Sequence, residues 1–434
     1  MWDAPPLPCL PMRVLIATVG SSGDVNPFIA VGRALAARGH EVRMLVNPFF
    51  ESAVLQAGLA MEPVGEEIDF RILAQLPNAV HPTRGSLVIL RELVFPHVKT
   101  IYHRTDELLT SFKPDVVFSH HICTGTSWAC ARRGVPWATG VLSPAMWFNP
   151  RDPSRYHPWS PENPSERFSR FGLWLGRMIM RWQFDQPLNA TRRELGFPPS
   201  RDMVFSEAAS GNASIGLWSP TIRGSLPGDP PAARICGFAW HDRFARFESA
   251  SGELERFVEE CERAGEPPIV FTLGTAVVHA GSGFYVEGAR AARKLGRRAI
   301  LLTNRPEYAP PAGELGERVR AFDYAPFGWL LPRSACVVHH CGVGTTAQAW
   351  RSGRPTVCVP HAYDQFDNAL RAKRLGCSVT VNATRATAPR LEAALREVLE
   401  NPAYASRAAE VGLRLRDEDG AAAAAVELER IAGR

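Results

Sequence analysis

The sequence predicts an α/β protein of two doubly wound domains, each a parallel sheet with helices on both faces. Short apolar runs alternate with amphipathic stretches in both halves of the chain, a pattern typical of repeated βα units. The chain has 434 residues, which is too long for one ordinary core and suits two domains of about 200 residues each.

The first series of βα units starts at Met12. Each expected strand is a short apolar run, and helical sequence follows most of them. We predict strands at residues 14–18, 41–46, 115–118 and 135–140, and helices at residues 27–38, 48–57 and 128–133. A stretch rich in Pro, Ser and Asn predicts a loop at residues 150–164.

A second series of the same kind follows, and helical sequence rich in Ala, Leu, Glu and Arg continues from Arg390. Its predicted strands are residues 269–274, 299–303, 319–322, 335–339, 356–359 and 378–381. A stretch rich in Pro and Gly after Gly224 marks the boundary between the series. We therefore predict an extension at residues 1–11, an N-terminal domain at residues 12–223, a linker at residues 224–240 and a C-terminal domain at residues 241–434.

Composition narrows the class of protein. The formal net charge is only +5 and the basic residues are spread along the chain, which argues against a nucleic-acid partner. The nine cysteines form no Cys-x-x-Cys pair, so we expect reduced thiols, a cytoplasmic protein and no zinc site. No apolar run reaches the roughly 18 residues needed to span a bilayer. Residues 1–11 lack a secretory pattern, and are either a disordered extension or the result of a start codon upstream of Met12.

A Gly-rich turn at residues 339–346 joins an expected strand to an expected helix. Glycines in such a turn let backbone N–H groups approach a phosphate, and the helix N-terminus adds the positive end of its dipole. His340 adds a side-chain donor, and Thr345 or its neighbour can cap the helix. The alternative is an ordinary strand-to-helix turn. Asp364 and Gln365, after the next strand, favour a diphosphate cradle followed by a pair that holds a sugar.

These motifs carry a family resemblance. The segment from Tyr324 to Gly376 resembles the donor-binding signature of inverting, nucleotide-sugar-dependent glycosyltransferases of the GT-B fold, in which two Rossmann-like domains face each other across a cleft. Residues 23–27 read Gly-Asp-Val-Asn-Pro, similar to a Gly-Asp-Val-x-Pro subgroup of UDP-glycosyltransferase-like enzymes. That subgroup includes sterol glucosyltransferases, glycopeptide-antibiotic glycosyltransferases and the rhamnosyltransferase chain of rhamnolipid synthesis, which the sequence resembles most. The resemblance is weakest between residues 149 and 234.

The resemblance implies an acceptor-binding N-terminal domain, a nucleotide-sugar-binding C-terminal domain and a last helix, residues 421–431, that crosses back. The positions that match the family's diphosphate contacts are His340, Gly342, Gly344, Thr345, Gly274 and Thr275.

Two further pairs complete the implied donor site. Asp364 and Gln365 match residues that hydrogen-bond the sugar hydroxyls, although Asp364 could instead cap a helix. Tyr324 and Phe327 lie where plant relatives carry a Trp-led motif that stacks on uracil. Tyr in place of Trp leaves both uridine and thymidine open as the base.

Asp24 is the predicted catalytic base, because the subgroup assigns that role to the matching Asp. A carboxylate with an ordinary pKa of about 3.9 is a weak base unless it is desolvated or paired. The alternative is that Asp24 caps the following helix. His120 lies where plant relatives carry the Asp that orients a catalytic His, so we also predict an Asp24–His120 pair, with a structural His as the alternative. His121 then points to the opposite side of the strand and is assigned to the acceptor site.

Two aromatic segments bear on the acceptor. Trp147 and Phe148 are expected to line an apolar acceptor pocket, or else to belong to the core. An apolar stripe flanked by arginines recurs at helical spacing at Phe168, Phe171, Leu175, Met178 and Trp182. It predicts an ordinary packed helix, a lip over an apolar acceptor, or a membrane-surface patch.

The predicted function is transfer of a hexose of glucose or rhamnose type from a UDP- or dTDP-sugar to a hydroxyl of a lipophilic acceptor. We expect no cofactor besides the nucleotide-sugar substrate and no metal, because backbone N–H groups and His340 neutralise the diphosphate. Asp417-Glu418-Asp419 is expected to be a solvated helix face. The expected partners are the donor, the acceptor and a membrane surface, with the chain a monomer or homodimer.

Three alternatives remain at this point. The first is a GT-B nucleotide-sugar epimerase, and the second is a non-catalytic subunit that binds nucleotide sugars. The third is an NAD-dependent oxidoreductase, whose Gly-x-Gly-x-x-Gly spacing the N-terminal turn at residues 20–24 does not match.

Overall fold

The computed structural model describes residues 10–68, 76–241, 252–275, 277–278 and 282–433. Within these ranges the chain forms a seven-stranded sheet followed by a six-stranded sheet. The strands of the first sheet are β1 (Arg13–Ala17), β2 (Glu41–Val46), β3 (Ala60–Pro63), β4 (Val116–His120), β5 (Trp137–Val141), β6 (Ala213–Gly216) and β7 (Ala233–Ile235). Those of the second are β8 (Ile269–Thr272), β9 (Ala299–Leu302), β10 (Val319–Phe322), β11 (Cys336–His339), β12 (Thr356–Cys358) and β13 (Ser378–Thr380).

The helices are numbered here in chain order within the described ranges. They are α1 (Ser22–Ala37), α2 (Glu51–Gln56), α3 (Gly85–Ile89), α4 (Val98–Ser111), α5 (Thr124–Arg133), α6 (Glu166–Met180), α7 (Gln186–Glu194), α8 (Met203–Ser206), α9 (Glu253–Arg263), α10 (Ser282–Lys294), α11 (Ala312–Leu315), α12 (Phe327–Leu330), α13 (Val343–Ser352), α14 (Gln365–Arg374), α15 (Ala388–Glu400), α16 (Pro402–Arg416) and α17 (Gly420–Ile431). Two π-helical turns, Leu90–Val94 and Arg181–Asp185, extend α3 and α6.

Both sheets are parallel and repeat one strand order. The first runs β3-β2-β1-β4-β5-β6-β7 and the second β10-β9-β8-β11-β12-β13. In the first sheet Val14 of β1 lies between Val42 of β2 and Val116 of β4. The direction of the crossovers reverses between β1 and β4, and again between β8 and β11. Each sheet therefore has a switch point, where a crevice opens at the carboxyl ends of the strands. The predicted two-domain, doubly wound α/β class is confirmed.

The elements differ from the prediction at several places. β3, β6 and β7 were not predicted, because each is short and has no long apolar run. β7 lies inside the predicted linker at residues 224–240 and pairs with β6, so the N-terminal sheet extends to Ile235. The predicted extension at residues 1–11 lies almost entirely outside the described residues.

The last helix, α17, packs on the N-terminal domain. Ala421, Ala424, Ala425 and Leu428 are buried in the same apolar cluster as β1 and α1. Beside them, Glu429 accepts hydrogen bonds from Arg38 Nε at 2.6 Å and Nη2 at 2.7 Å, and its Oε1 lies 2.8 Å from His40 Nε2. The end of the chain thus completes the core of the first domain.

We expect Glu429→Ala to lower the free energy of unfolding by about 1–3 kcal/mol, because Arg38 and the buried His40 lose their partner. Hydrogen bonding to Arg38 lowers the pKa of Glu429. The stabilisation should therefore be present above the ordinary Glu pKa of about 4.3 and be lost as pH falls below it. Thermal denaturation in a series of buffers from pH 7 down to well below pH 4 measures both effects. Glu400→Ala, which removes an exposed ion pair with Arg396, is the control and should change stability by less than about 0.5 kcal/mol.

A chain of buried charges joins the two domains. Asp152 accepts from Arg223 Nε at 3.2 Å and from Arg371 Nη2 at 2.8 Å. Arg371 also donates to Asp367 at 2.7 Å. Because each charge has a partner of opposite sign, the cost of burying it is offset. These pairs hold the loop after β5 against α14.

Candidate active site

A cleft of about 900 Å³ lies between the two domains. Both switch points open into it: residues 19–24 follow β1, and residues 340–345 follow β11. In open parallel sheets this is where ligands bind. The volume is in the range of small-molecule sites.

The N-terminus of α13 forms one end of the cleft. Gly342 is the N-cap residue and offers no side chain to cap the helix. The first helical bond runs from the Thr346 N–H to the Gly342 carbonyl at 2.9 Å. Within the described residues, the N–H groups of residues 343–345 therefore have no helical acceptor and are available to an anion, with the helix dipole behind them.

His340 stands beside these N–H groups. Its ring is buried, and a Cβ added to Gly342 or Gly274 would lie 2.4 Å from its Nε2 or 2.6 Å from its Cε1. Burial, with smaller contributions from His339 and His361, holds the pKa of His340 well below its ordinary value. The imidazole is therefore neutral at pH 7. Among the described residues its buried Nδ1 has no hydrogen-bond partner, and its Nε2 lies on the side of the ring that faces Gly274 and Gly342.

The predicted sugar pair also lines the cleft. Asp364 occupies the N-cap position of α14, but its side chain makes no cap hydrogen bond; Oδ2 accepts instead from Asn368 at 2.9 Å. The capping alternative for Asp364 is therefore not seen. The side-chain oxygen Oε1 of Gln365 accepts hydrogen bonds from the N–H groups of His361 and Ala362 at 2.8 and 3.1 Å. The side-chain amide nitrogen of Gln365 is therefore its remaining donor.

Asp364 is an unusual carboxyl group. Burial, together with the negative charges of Asp24 and Asp367, raises its pKa to about 7, while the bond from Asn368 opposes the rise. Asp24 belongs to the N-terminal domain, so two carboxyl groups face each other across the cleft. A cluster of this kind is typical of functional sites.

We expect Asp364→Asn to raise the free energy of unfolding at pH 8 by roughly 1–2 kcal/mol, and by less at pH 4. A raised pKa in the folded protein means that stability is lost as pH rises towards about 7, and the amide removes that loss. Denaturant titrations at both pH values measure it. Asp106→Asn is a control of opposite sign, because a hydrogen bond from Arg133 lowers the pKa of Asp106. A variant at 364 that is destabilised at pH 8 would contradict the assignment.

Asp24 lies in the first turn of α1, directly after the Gly-rich turn that follows β1. Its Oδ2 accepts from the Ser21 N–H at 2.7 Å and the Ser21 hydroxyl at 2.9 Å. Burial raises its pKa, and the bonds from Ser21 oppose the rise. Gly20 has φ +118°, and a Cβ there would lie 2.5 Å from Asp24 Oδ2, so only glycine fits. The capping role is therefore real, and both bonds from Ser21 are made to Oδ2.

The predicted Asp24–His120 pair is not formed. The His120 ring packs against Phe28 at 5.3 Å and His121 at 4.4 Å. In the described part of the chain neither His120 nitrogen has a hydrogen-bond partner, and burial lowers its pKa well below the ordinary value. Neither histidine lines the cleft. The structural alternative fits His120, and the placement of His121 offers no acceptor contact.

Trp147 and Phe148 also lie away from the cleft. Trp147 is buried, donates Nε1 to Ser214 at 2.8 Å and packs on Trp218 with ring centroids 4.5 Å apart. Phe148 packs on Phe205 at 4.3 Å. The core alternative is correct for Trp147, since it belongs to an apolar cluster that spans both domains. Aromatic side chains in a sequence do not distinguish a core from a pocket wall.

The N-terminal domain provides a different apolar wall. The side chains that line it are Val19, Phe49, Ile68, Ile89, Leu93, Val94, Ile101 and Ile122. Several come from α3, its π-helical extension and α4. The spacing of Ile89, Leu93 and Ile101 is helical and could have indicated this wall.

Other lining residues were also missed. Asn304, which follows β9, donates a hydrogen bond to the Gly274 carbonyl at 2.6 Å and so supports the turn at Gly274 that follows β8. Arg305 and Tyr308 follow it along the cleft. Tyr363 donates its hydroxyl to the Ala79 carbonyl of the N-terminal domain at 2.6 Å. Three of the residues predicted to bind the donor, Thr275, Tyr324 and Phe327, line the cleft. The Tyr324 side chain is 41% exposed.

A buried group of three side chains that could bind a metal ion lies at the Gly-rich turn after β11. One ligand atom each from His339, Cys341 and Cys358 lie within 4.8 Å of one another. Sequence spacing did not indicate this group, because Cys341 and Cys358 meet only through the pairing of β11 with β12. The Cys341 N–H donates to His339 Nδ1 at 3.2 Å, so part of the group serves the turn itself.

Known protein families match parts of both domains of the chain. Residues 14–131 match the Glycosyltransferase family 28 N-terminal domain, and residues 298–430 match the Erythromycin biosynthesis protein CIII-like, C-terminal domain. These matches and the fold together define a glycosyltransferase of the GT-B class. The chain is 31% identical over 428 residues to O-mycaminosyltylonolide 6-deoxyallosyltransferase of Streptomyces fradiae, with 96% of this chain and 97% of that protein covered. The chain belongs to the glycosyltransferase family of that enzyme.

More distant relatives extend the comparison. A sterol 3-beta-glucosyltransferase of Arabidopsis thaliana is 25% identical over 434 residues, covering 95% of this chain and 64% of the relative. The solved glycosyltransferase of kitacinnamycin has a TM-score of 0.74 at 20% identity, covering 97% and 99% of the two chains. VinC in complex with dTDP has a TM-score of 0.68 at 21% identity, covering 98% and 100%. The two structures show the GT-B fold. Among the described residues, no helix is both long and apolar enough to cross a membrane.

Proposed function

We propose that this enzyme transfers a hexose from a dTDP- or UDP-sugar to a hydroxyl of a lipophilic small molecule, with inversion at the anomeric carbon. One observation carries the proposal: the Asp24 carboxyl group of one domain faces the anion-binding end of α13 and the Asp364 pair of the other across a single cleft. An acceptor and a donor bound on the two sides would meet between them.

In the proposed reaction, Asp24 accepts the proton of the acceptor hydroxyl as its oxygen forms a bond to the anomeric carbon. The bond from that carbon to the diphosphate oxygen breaks on the opposite face, so the sugar is inverted. The N–H groups of residues 343–345 and His340 stabilise the leaving diphosphate. Asp364 and Gln365 hold sugar hydroxyls, and alignment of the two reactants supplies much of the acceleration. No metal is required for these steps.

The two sides of the cleft support the substrate classes. The apolar wall from α3 and α4 suits a lipophilic acceptor, and the glycosyl acceptors named for the relatives, a tylonolide and sterols, are of that kind. VinC and SsfS6 were crystallised with dTDP, which favours thymidine over uridine at Tyr324. The sugar is of glucose or rhamnose type.

Thermal-shift measurements with dTDP, UDP, their glucose and rhamnose conjugates, and NAD test the donor side. A ligand present at 100 times its Kd should stabilise the folded protein by about 2.7 kcal/mol. We expect a shift with one nucleotide diphosphate family and none with NAD. That donor is then incubated with hydroxylated lipophilic acceptors, and released nucleotide diphosphate and glycosylated product are measured. Binding without acceptor-dependent release would instead indicate an epimerase or a non-catalytic subunit.

A further inference from the structure

The long helix α6 carries its apolar side towards solvent. Seven large apolar side chains, six on α6 and one just after it, are between 42% and 82% exposed: Phe168, Phe171, Trp174, Leu175, Met178, Ile179 and Trp182. We call these seven residues the outer face. Four residues on the other side of the helix, Ser169, Leu173, Gly176 and Met180, are buried or half-buried. The stripe predicted from the sequence is real, but the packed-helix interpretation is wrong.

The outer face is not part of the site described above. None of its seven residues lines the cleft, so the prediction of a lip over the acceptor is not supported. At about 100° per residue the seven side chains occupy one continuous arc of the helix. Seven large, exposed apolar side chains that adjoin one another in this way indicate an interaction site.

Positive charge runs along one edge of the outer face. Four arginines, Arg167, Arg170, Arg177 and Arg181, lie on that edge, and two carboxylates lie among them. Glu166 accepts from Arg170 at 2.7 Å. Asp202 lies 2.8 Å from Arg177 and 3.3 Å from Arg181. Four positive charges against two negative ones leave the edge basic, so it is complementary to an anionic surface.

We propose that the outer face of α6 docks on the surface of an anionic lipid bilayer. A helix with aromatic and aliphatic side chains on one face and arginines beside them lies in the interface between headgroups and acyl chains. Trp174 and Trp182 suit that depth because their rings are apolar with one polar N–H. The arginines would reach lipid phosphates, and their long side chains can extend outwards to do so.

Charge argues against a second copy of the chain as the occupant. Stacking two outer faces would bring two arginine-rich edges into one interface, and like charges close together are destabilising. An anionic lipid surface instead removes the repulsion and buries the same apolar side chains. This inference does not depend on the proposed function, because the outer face and the cleft share no residue.

Vesicle flotation of the full chain tests the proposal. Vesicles of phosphatidylcholine alone are compared with vesicles of phosphatidylcholine and phosphatidylglycerol at a ratio of about three to one. We expect the wild type to float with the anionic vesicles, and the partition coefficient to fall at least about tenfold in Trp174→Ser/Trp182→Ser. Arg167→Gln/Arg181→Gln should lose the preference for anionic lipid, as should the wild type at high salt.

The matched control is Leu55→Ser/Leu413→Ser, which removes two apolar side chains of similar exposure, 56% and 62%, from α2 and α16. It should float as the wild type does. Nucleotide-induced thermal shifts and transfer to a dissolved acceptor in lipid-free buffer should be equal in all variants, which separates this test from that of the proposed function. Wild type that floats with neither vesicle, or floats unchanged after the tryptophan substitutions, would overturn the proposal. So would a wild-type dimer, seen by sedimentation equilibrium, that the tryptophan substitutions convert to a monomer.

Discussion

Asp24→Asn is expected to lower the turnover number for glycosyl transfer by about 10²–10⁴, the usual contribution of a general base, and to leave nucleotide binding nearly unchanged. The amide oxygen can still accept the two bonds from Ser21, so the start of α1 stays capped while the proton acceptor is lost. Asp24→Ala should reduce transfer at least as strongly, and should also cost about 1 kcal/mol of stability through loss of the cap.

Ser21→Ala is the matched control for this pair. It removes the 2.9 Å hydroxyl bond to Asp24 but keeps the carboxylate, so turnover should change by less than about tenfold.

Burial raises the pKa of Asp24, and a base acts only when ionised. Transfer by the wild type should therefore increase with pH through that pKa. An Asp24→Asn or Asp24→Ala enzyme with normal turnover would show that another group accepts the proton.

His340→Ala is expected to weaken binding of the nucleotide diphosphate by roughly tenfold to a hundredfold, equivalent to about 1.5–3 kcal/mol for a hydrogen bond to a charged group. Because the pKa of His340 is well below its ordinary value, the loss should be the same at pH 6 and pH 8. Isothermal titration with dTDP and UDP measures it. His103→Ala, on the exposed side of α4, should bind as the wild type does.

Two glycine variants distinguish the contribution of the His340 ring to diphosphate binding from that of the backbone N–H groups. A Cβ on Gly342 would lie 2.4 Å from His340 Nε2, whereas the nearest protein atom to a Cβ on Gly344 is 3.9 Å away. Gly342→Ala should therefore displace the ring and destabilise the free protein, while Gly344→Ala should crowd only a bound ligand. If His340→Ala binds nucleotide normally but Gly344→Ala does not, the backbone N–H groups alone hold the diphosphate.

The residues that line the cleft from the C-terminal domain could be predicted from the sequence because the requirements of their turns are local. Backbone that packs against the His340 ring needs glycine at positions 274 and 342. A phosphate site of the predicted kind needs a helix N-terminus. Both requirements can be recognised from a few consecutive residues of the sequence. Asp24 was predictable for the same reason, since Gly20, Ser21 and Asp24 form one tight turn.

The residues that line the cleft from the N-terminal domain were not predictable in the same way. Whether Trp147 lines a pocket or fills a core depends on which segment lies against it, and that segment, Ser214 to Trp218, comes about 70 residues later. The Asp24–His120 pair was predicted because Asp24 follows β1 and His120 ends the neighbouring strand β4. It is not formed, and Phe28 packs against the His120 ring instead. Periodicity placed the stripe of α6 on one side of a helix, but it does not tell which side meets the protein.

The position of α17 has a consequence for how the protein is made. Four of its apolar residues are part of the first domain's core, yet they are translated after the whole second domain. On the ribosome the first domain must wait, with that part of its core uncovered, until the final helix has emerged. The second domain has no such delay from α17. The usual order, in which the N-terminal domain finishes first, therefore does not hold for this part of its core, and loss of α17 would uncover the domain that is made first.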